Sequence, residues 1–272
     1  MEKRYYRVGA IGILVEGPAF EEAYYLSPFR TEELTPDLTV TVSLTGPVSL
    51  PEGFCGGSGW VKVGNTRVLI DERNQIPSAR ADYDGYGHIG VSVDRAHSEC
   101  YGSSFLIRVL RLPHRVLEHG SVFLHSSFIE VNGEAILFTA DCRTGKSTQA
   151  ALWEKNRGAF VVNGDRSLLR KENGRWYACG SPYCGTSKIC HNLSYPIRAV
   201  VILSQAKTNT AKRAGAKEAF IAMLSGCTYH ASRKTEVDAV TEIAGDMIAS
   251  VPFYTLACTP DLRAVEELEK AL

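Results

Sequence analysis

The segment that most restricts how this 272-residue chain can fold lies near its middle. Phe128 to Val131 form one apolar run and Ala135 to Thr139 another, with Asn132-Gly133 between them. Asn-Gly in that position predicts a hairpin, because a type I′ turn needs positive φ at both central residues. The second run leads directly into Ala140-Asp141-Cys142-Arg143-Thr144-Gly145-Lys146-Ser147, and a helix is predicted to follow over residues 147–155. The eight residues fit G-x-x-x-x-G-K-[ST] at every fixed position but the first, where Ala140 replaces Gly. A strand, a tight loop and a helix in that order call for an α/β layer built around the loop.

The same order of residues has a chemical reading. A tight loop turns backbone N–H groups toward an anion, and a helix N-terminus adds partial positive charge. Lys146 reaches the β- and γ-phosphates of a bound nucleotide, and the Ser147 hydroxyl is placed to ligate Mg²⁺, with Thr148 next in the first helical turn. Two residues depart from the common pattern. Ala140 cannot take glycine-only backbone angles cheaply, and Arg143 stands where many such loops carry Gly, so that it either distorts the loop or itself reaches a phosphate.

Before this segment the chain reads as β-rich. Short runs of β-branched residues at 8–15, 38–44, 59–63, 67–70 and 88–93 are separated by Gly and Pro, as at Gly46-Pro47 and Pro51-Glu52-Gly53. A short helix is predicted over 105–112, ended by Pro113. After the loop, residues 160–162 and 199–203 read as strands, Asn173-Gly174 as a second hairpin, and 217–224 and 236–249 as helices. In the last of these, Val237, Val240, Ala244, Met247, Ile248 and Val251 keep helical spacing on one face. Residues 252–257 read as a final strand, and Asp261 as the N-cap of a closing helix. The expectation is a β-rich N-terminal domain over residues 1–115 and an α/β domain with a mixed sheet over residues 116–272.

Composition narrows the partners. Lys+Arg and Asp+Glu are equal at 30 each, so there is no general footprint for nucleic acid. The local basic stretch Lys207, Lys212, Arg213 and Lys217 reads as a solvated loop and helix start. No apolar run approaches the roughly 20 residues that span a bilayer, so no membrane association is expected. The eight cysteines are scattered, and no export signal is seen, so they are expected as reduced thiols in a cytoplasmic protein. Cys179, Cys184, Cys190 and His191 lack the C-x₂-C pair of a closed zinc site. No Gly-x-Ser-x-Gly elbow points to a hydrolase.

Further residues carry a family resemblance. Leu124-His125-Ser126, Val131-Asn132-Gly133, the loop itself and Val161-Val162-Asn163-Gly164-Asp165-Arg166 resemble the HPr kinase/phosphorylase family, whose phosphate-loop domain is related to phosphoenolpyruvate carboxykinase. With Ser181-Pro182-Tyr183-Cys184-Gly185-Thr186-Ser187-Lys188 and Pro252-Phe253-Tyr254-Thr255-Leu256, the chain more closely resembles HPr-kinase-like proteins of uncertain substrate. The resemblance covers about the last 150 residues. It implies an ATP- and Mg²⁺-dependent kinase acting on a hydroxyl of a peptide, a protein or a small serine-like molecule, and a homo-oligomer. It implies that Asp165 takes the proton of the acceptor and that His125 lies near the phosphates. Asp165 with Ser147 would hold the metal. Gly164 stands where the family has the first Asp of a pair, a metal-binding position.

From the residues alone, Asp165 follows a predicted strand, where α/β ligand sites gather and a carboxylate can serve as base; Asn-Gly-Asp is equally good turn chemistry. The small polar stretch Gly185, Thr186, Ser187 and Lys188 reads as a second anion-binding turn or as an ordinary loop. The alternative to a kinase is a catalytically silent nucleotide-binding protein that acts as a sensor or partner in a biosynthetic or regulatory assembly.

Overall fold

The computed structural model describes residues 1–20, 22–72 and 74–272. They fall into two compact units, Met1–Arg111 and Leu112–Leu272. In the first unit the chain runs β1 (Glu2–Val8), β2 (Ile11–Gly17), a four-residue α1 (Ala23–Leu26), β3 (Arg30–Thr31), β4 (Leu38–Thr45), β5 (Gly59–Val63), β6 (Thr66–Ile70), β7 (Pro77–Tyr83), β8 (His88–Asp94) and α2 (Ser103–Leu110). The strands form one sheet in the order β3-β1-β2-β4-β8-β7-β6-β5. Pairing is parallel for β2–β4 and β4–β8 and antiparallel elsewhere. In β4 and β8 side chains alternate as strands with one covered face require, whereas β2 is buried continuously from Ile11 to Val15. Leu38, Val40 and Val42 of β4 and Ile89, Val91 and Val93 of β8 are buried, while the residues between them are not.

Two sequence expectations change here, and one strand is new. The run at 8–15 is not one strand: Gly9, at φ 58°, turns the chain between β1 and β2. Strand β7 had no apolar signal because Pro77, Arg80 and Asp82 interrupt it; Arg80 and Asp82 instead pair along the strand at 2.8 Å. The helix before Pro113 stops at Arg111, which adopts φ 51°. Pro113 lies in the first turn of the next helix, where a missing N–H costs nothing.

The second unit continues with α3 (Leu112–Glu118), β9 (Val122–Val131), β10 (Glu134–Thr139), α4 (Lys146–Arg157), β11 (Phe160–Asn163), β12 (Arg166–Glu172), β13 (Arg175–Cys179), β14 (Ser194–Gln205), β15 (Thr210–Arg213), α5 (Ala216–Gly226), α6 (Lys234–Ser250), β16 (Phe253–Cys258) and α7 (Leu262–Ala271). The sheet is mixed: β14 lies parallel to both β10 and β16, and the other pairings are antiparallel. Both Asn-Gly hairpins form. Asn132 and Gly133 take φ 52° and 80°, and Asn173 and Gly174 take 49° and 81°. Asp261 caps α7 through the Arg263 N–H at 3.0 Å.

Two apolar clusters hold helices to this sheet. Ala150 and Trp153 of α4 and Val265 and Leu268 of α7 pack with Ile136, Phe138 and Val201. Met223 of α5 and Val240, Ala244 and Met247 of α6 pack with Leu124, Leu137 and Val200. Each such large side chain contributes roughly 1.5–3 kcal/mol when removed from water. The basic stretch is partly strand: Lys212 and Arg213 belong to β15 and pair with Thr255 and Tyr254 of β16. No described helix is long and apolar enough to cross a membrane.

Candidate functional site

One strand organises the site. Strand β9 is long enough to be shared. β12 pairs with its first half, from Val122 to His125, and β11 with its second half, from Phe128 to Glu130. The turn between those partners, Asn163-Gly164-Asp165, therefore stands beside the middle of β9, and Ser126 N–H donates to the Asp165 carbonyl at 3.0 Å. On its other edge β9 pairs with β10, which ends at Thr139 opposite Ser126. The Thr139 hydroxyl donates to the His125 carbonyl at 3.0 Å. His125 thus has the start of the loop on one side and Asp165 on the other.

The loop itself spans the gap from β10 to α4. Positive φ falls on Arg143 (65°) and Gly145 (119°), not on Ala140. The first position of the pattern needs no glycine here, and the unusual backbone is carried by Arg143 instead, at a cost of order 1 kcal/mol. Lys146 folds back across the loop. Its Nζ donates to the carbonyls of Ala140 at 2.9 Å and Asp141 at 3.1 Å. Burial pushes this ammonium below its ordinary pKa, opposed by the charges around it, Asp165 and Asp141 among them. No side chain caps α4, so its first N–H groups lack the side-chain partner that helices commonly recruit. Ser147 and Thr148 are exposed there.

Asp165 is positioned by an Asx turn. The buried Asn163 accepts from Asp165 N–H at 3.1 Å and Arg166 N–H at 2.9 Å through Oδ1, while its Nδ2 donates to the Ser181 carbonyl at 2.8 Å. The Asp165 carboxylate lies 3.5 Å from His125 Nε2 and 3.5 Å from Arg166 Nε. Its pKa is held below the ordinary carboxylate range, chiefly by His125 and further by Arg166 and Lys146, against the opposing effect of burial. It is an ionised carboxylate near neutral pH.

The short turn Gly185–Ser187 closes the other wall. Gly185, at φ 54°, approaches so closely that a Cβ there would lie 2.9 Å from the Asp165 carboxyl carbon. Gly164 is packed against the same turn, and a Cβ on it would lie 2.0 Å from Ser187 Oγ. Thr186 and Ser187 line the cleft, whereas Lys188, just past the turn, is not among the residues that line it. Within this cleft of about 420 Å³, His125, Lys146, Ser147 and Asp165 meet Cys142, Arg143, Gly145 and Thr148. Two further clefts adjoin the loop. One, of about 560 Å³, takes in His125, Ala140, Asp141 and Cys142. The other, of about 400 Å³, takes in Arg143, Thr144, Gly145 and Thr148.

Comparison with known proteins adds little. No family model and no curated protein matches the chain. Among solved structures, the Hpr(Ser) kinase/phosphatase from Coxiella burnetii is similar over 54% of this chain and 93% of its own, at 14% identity and a TM-score of 0.32. At that distance the likeness says nothing about individual residues or chemistry.

No group of three or more His, Cys, Asp or Glu side chains placed to hold a metal occurs among the described residues. The donors in the cleft suit a different kind of ion. Mg²⁺ keeps several waters and takes one or two protein oxygens together with substrate phosphates, and the Ser147 hydroxyl and Asp165 carboxylate line one cleft. Asn163 escaped the sequence reading as a positioning residue, although Asn-Gly-Asp was visible as turn chemistry. Gln149, Gln205 and Thr259, which line the third cleft, carried no local signal at all.

Proposed function

We propose that the chain is a phosphotransferase that moves the γ-phosphoryl group of ATP to a hydroxyl of a peptide, protein or small-molecule acceptor. The observation that carries this reading is that Lys146, Ser147, His125 and Asp165 line one cleft at the N-terminus of α4. Such transfer depends on positioning and charge neutralisation more than on covalent chemistry. The loop N–H groups and the end of α4 receive the phosphates, and Lys146 leaves its carbonyl partners to pair with the β- and γ-oxygens. Mg²⁺, when bound by Ser147 and Asp165, supplies further positive charge there. The acceptor oxygen attacks the γ-phosphorus and the bond to the bridging oxygen breaks. Asp165 takes the acceptor proton, and ADP departs with the electron pair of the broken bond. His125, beside that carboxylate, keeps it ionised and oriented.

A specific observation favours a second reading, a nucleotide-binding protein without transfer. Gly164 is pressed against Ser187, so a carboxylate at that position beside Asp165 would clash with the Gly185–Ser187 turn, and one metal-binding group of the resembled family is missing. Calorimetric titration of ATP and ADP with Mg²⁺ into wild type and Lys146→Ala, with γ-phosphate release measured on the same samples, separates the cases. Binding that Lys146→Ala abolishes, with turnover that Asp165→Asn abolishes, is the outcome expected of a kinase. Binding without turnover in both wild type and Asp165→Asn is the outcome expected of a sensor. Absence of binding to the wild type removes both.

A further inference from the structure

The phosphate loop lies between two clefts that share no lining residue with each other, and a nucleotide can extend into only one of them. We propose that the nucleoside of the bound nucleotide occupies the cleft formed by Gln149 on α4, Gln205 and Ala206 at the end of β14, and Thr259 and Pro260 after β16. This rests on the reading of the loop as a phosphate site and adds where the rest of the ligand goes.

Continuity is the first reason. The reacting end of the phosphate chain belongs where Lys146 and Asp165 meet. The residues that this central cleft shares with the Gln149 cleft are Arg143, Gly145 and Thr148, which belong to the loop and the first turn of α4. A phosphate chain that runs back along the uncapped helix end arrives there. The residues shared with the opposite cleft are His125 and Cys142, so a path that way leaves the helix end behind.

Charge is the second reason. The opposite cleft carries the carboxylates of Asp141 and Glu218 among its walls and is otherwise largely apolar, with Ile202, Leu203 and Ile221. A polyphosphate passing over it meets like charge. The Gln149 cleft has no carboxylate among its lining residues, and the cation Arg143 is one of them. Gln205 Nε2 donates to the Arg143 carbonyl at 3.3 Å and ties the loop backbone to the end of β14.

The third reason is an incomplete hydrogen-bond group. Gln149 is 2% exposed and lines this cleft. Its Nε2 donates to Cys258 Sγ at 3.3 Å, while its Oε1 has no hydrogen-bond partner. A buried amide oxygen left alone is costly, and a nucleoside carries N–H and O–H donors on its base and ribose. At about 400 Å³, the cleft falls in the range of small-ligand sites, roughly 300–1,000 Å³.

Two probes separate this from the phosphate-loop reading: Mg²⁺ with ADP, and Mg²⁺ with inorganic tripolyphosphate, which has phosphates but no nucleoside. Calorimetry on the full chain would compare wild type, Lys146→Ala, Ala206→Trp and Ile221→Trp. Ala206 and Ile221 are both exposed, so a Trp at either position fills a cleft without disturbing the core. The expected result is that Ala206→Trp weakens ADP at least about tenfold and leaves tripolyphosphate unchanged, that Ile221→Trp changes neither, and that Lys146→Ala loses both. Loss of ADP affinity in Ile221→Trp and not in Ala206→Trp would place the nucleoside in the opposite cleft and overturn the proposal. Unchanged ADP affinity in both Trp variants overturns it as well, with tripolyphosphate binding still supporting the loop. Failure of both probes on wild type removes the phosphate site itself, and the nucleoside site with it.

Discussion

Replacing Gly164 by Ala adds one carbon at the point where the two halves of the site touch. That carbon would lie 2.0 Å from Ser187 Oγ and 2.6 Å from Ser187 Cβ. Rotating the Ser187 hydroxyl away does not remove the second clash, so the backbone of the Gly185–Ser187 turn must move. It is not free to do so. Ser187 Oγ donates to the Cys184 carbonyl at 2.6 Å, Ile189 N–H donates to Ser187 Oγ at 3.3 Å, and Gly164 N–H donates to the Ile189 carbonyl at 3.2 Å. Gly164 is not in the left-handed region, so the contact alone sets the cost. Overpacking of this kind costs about 1–3 kcal/mol. With a urea slope of about 2 kcal/mol/M, the midpoint falls by about 1 M.

Ser187→Gly removes both clashing atoms and forfeits the hydroxyl's hydrogen bonds, at about 1 kcal/mol. The double variant should then be no less stable than Ser187→Gly alone, a coupling as large as the Gly164→Ala cost itself. Urea unfolding of the four proteins, followed by the fluorescence of Trp153 and Trp176 in this unit, measures the cycle. Additive losses, or a Gly164→Ala protein as stable as wild type, would refute the close packing of Gly164 on Ser187. The account of why no carboxylate stands at position 164 would fall with it.

Gly185→Ala pushes against the Asp165 carboxyl from the other side and should lower phosphoryl transfer by about tenfold or more while ADP affinity changes little; equal losses in both assays would count against a positioning effect. Arg143→Gly relieves the left-handed backbone at φ 65° and should leave stability within about 1 kcal/mol of wild type, but it weakens tripolyphosphate binding as a cation is lost from the cleft. Unchanged affinity would show that Arg143 does not touch phosphate. Asp246→Ala leaves the buried Trp176 indole N–H without its 2.8 Å partner and should cost about 1–3 kcal/mol, whereas Asp246→Asn keeps an acceptor and should cost less. The Asp246 pKa is lowered, first by its hydrogen bond with Lys171. A carboxylate with a depressed folded pKa contributes stability above its unfolded value, about 3.9, and loses it as pH falls through the folded value. The difference between wild type and Asp246→Asn should therefore shrink below about pH 4 in urea titrations. A difference that grows on acidification contradicts the ion pair.

Local chemistry made several elements legible from sequence. Two Asn-Gly pairs set two hairpins because few other residues accept consecutive positive φ. The spacing of Val240, Ala244 and Met247 set one face of α6, and Asp261 set the start of α7. In each case the deciding interaction lies within a few residues. The Gly-Lys-Ser segment between a strand and a helix was readable for the same reason. Elements without a local preference were not. Strand β14 extends through Pro196, which pairs with Tyr177, and β15 is built from Thr210, Ala211, Lys212 and Arg213; sheet neighbours impose both.

The candidate site divides in the same way. Lys146, Ser147 and Asp165 could be marked one by one, and the resemblance added His125. That they face one cleft depends on β9 being shared by β10, β11 and β12, and pairing between segments so far apart in the chain leaves no trace in any short window. The glycines show the division most sharply. Gly133, like Asn132 before it, is dictated by a backbone angle that the hairpin sequence announces. Gly164 is dictated by atoms of Ser187 that approach from another part of the chain, and Gly185 by the Asp165 carboxyl in addition to its own φ of 54°; only the folded structure brings those atoms within contact distance.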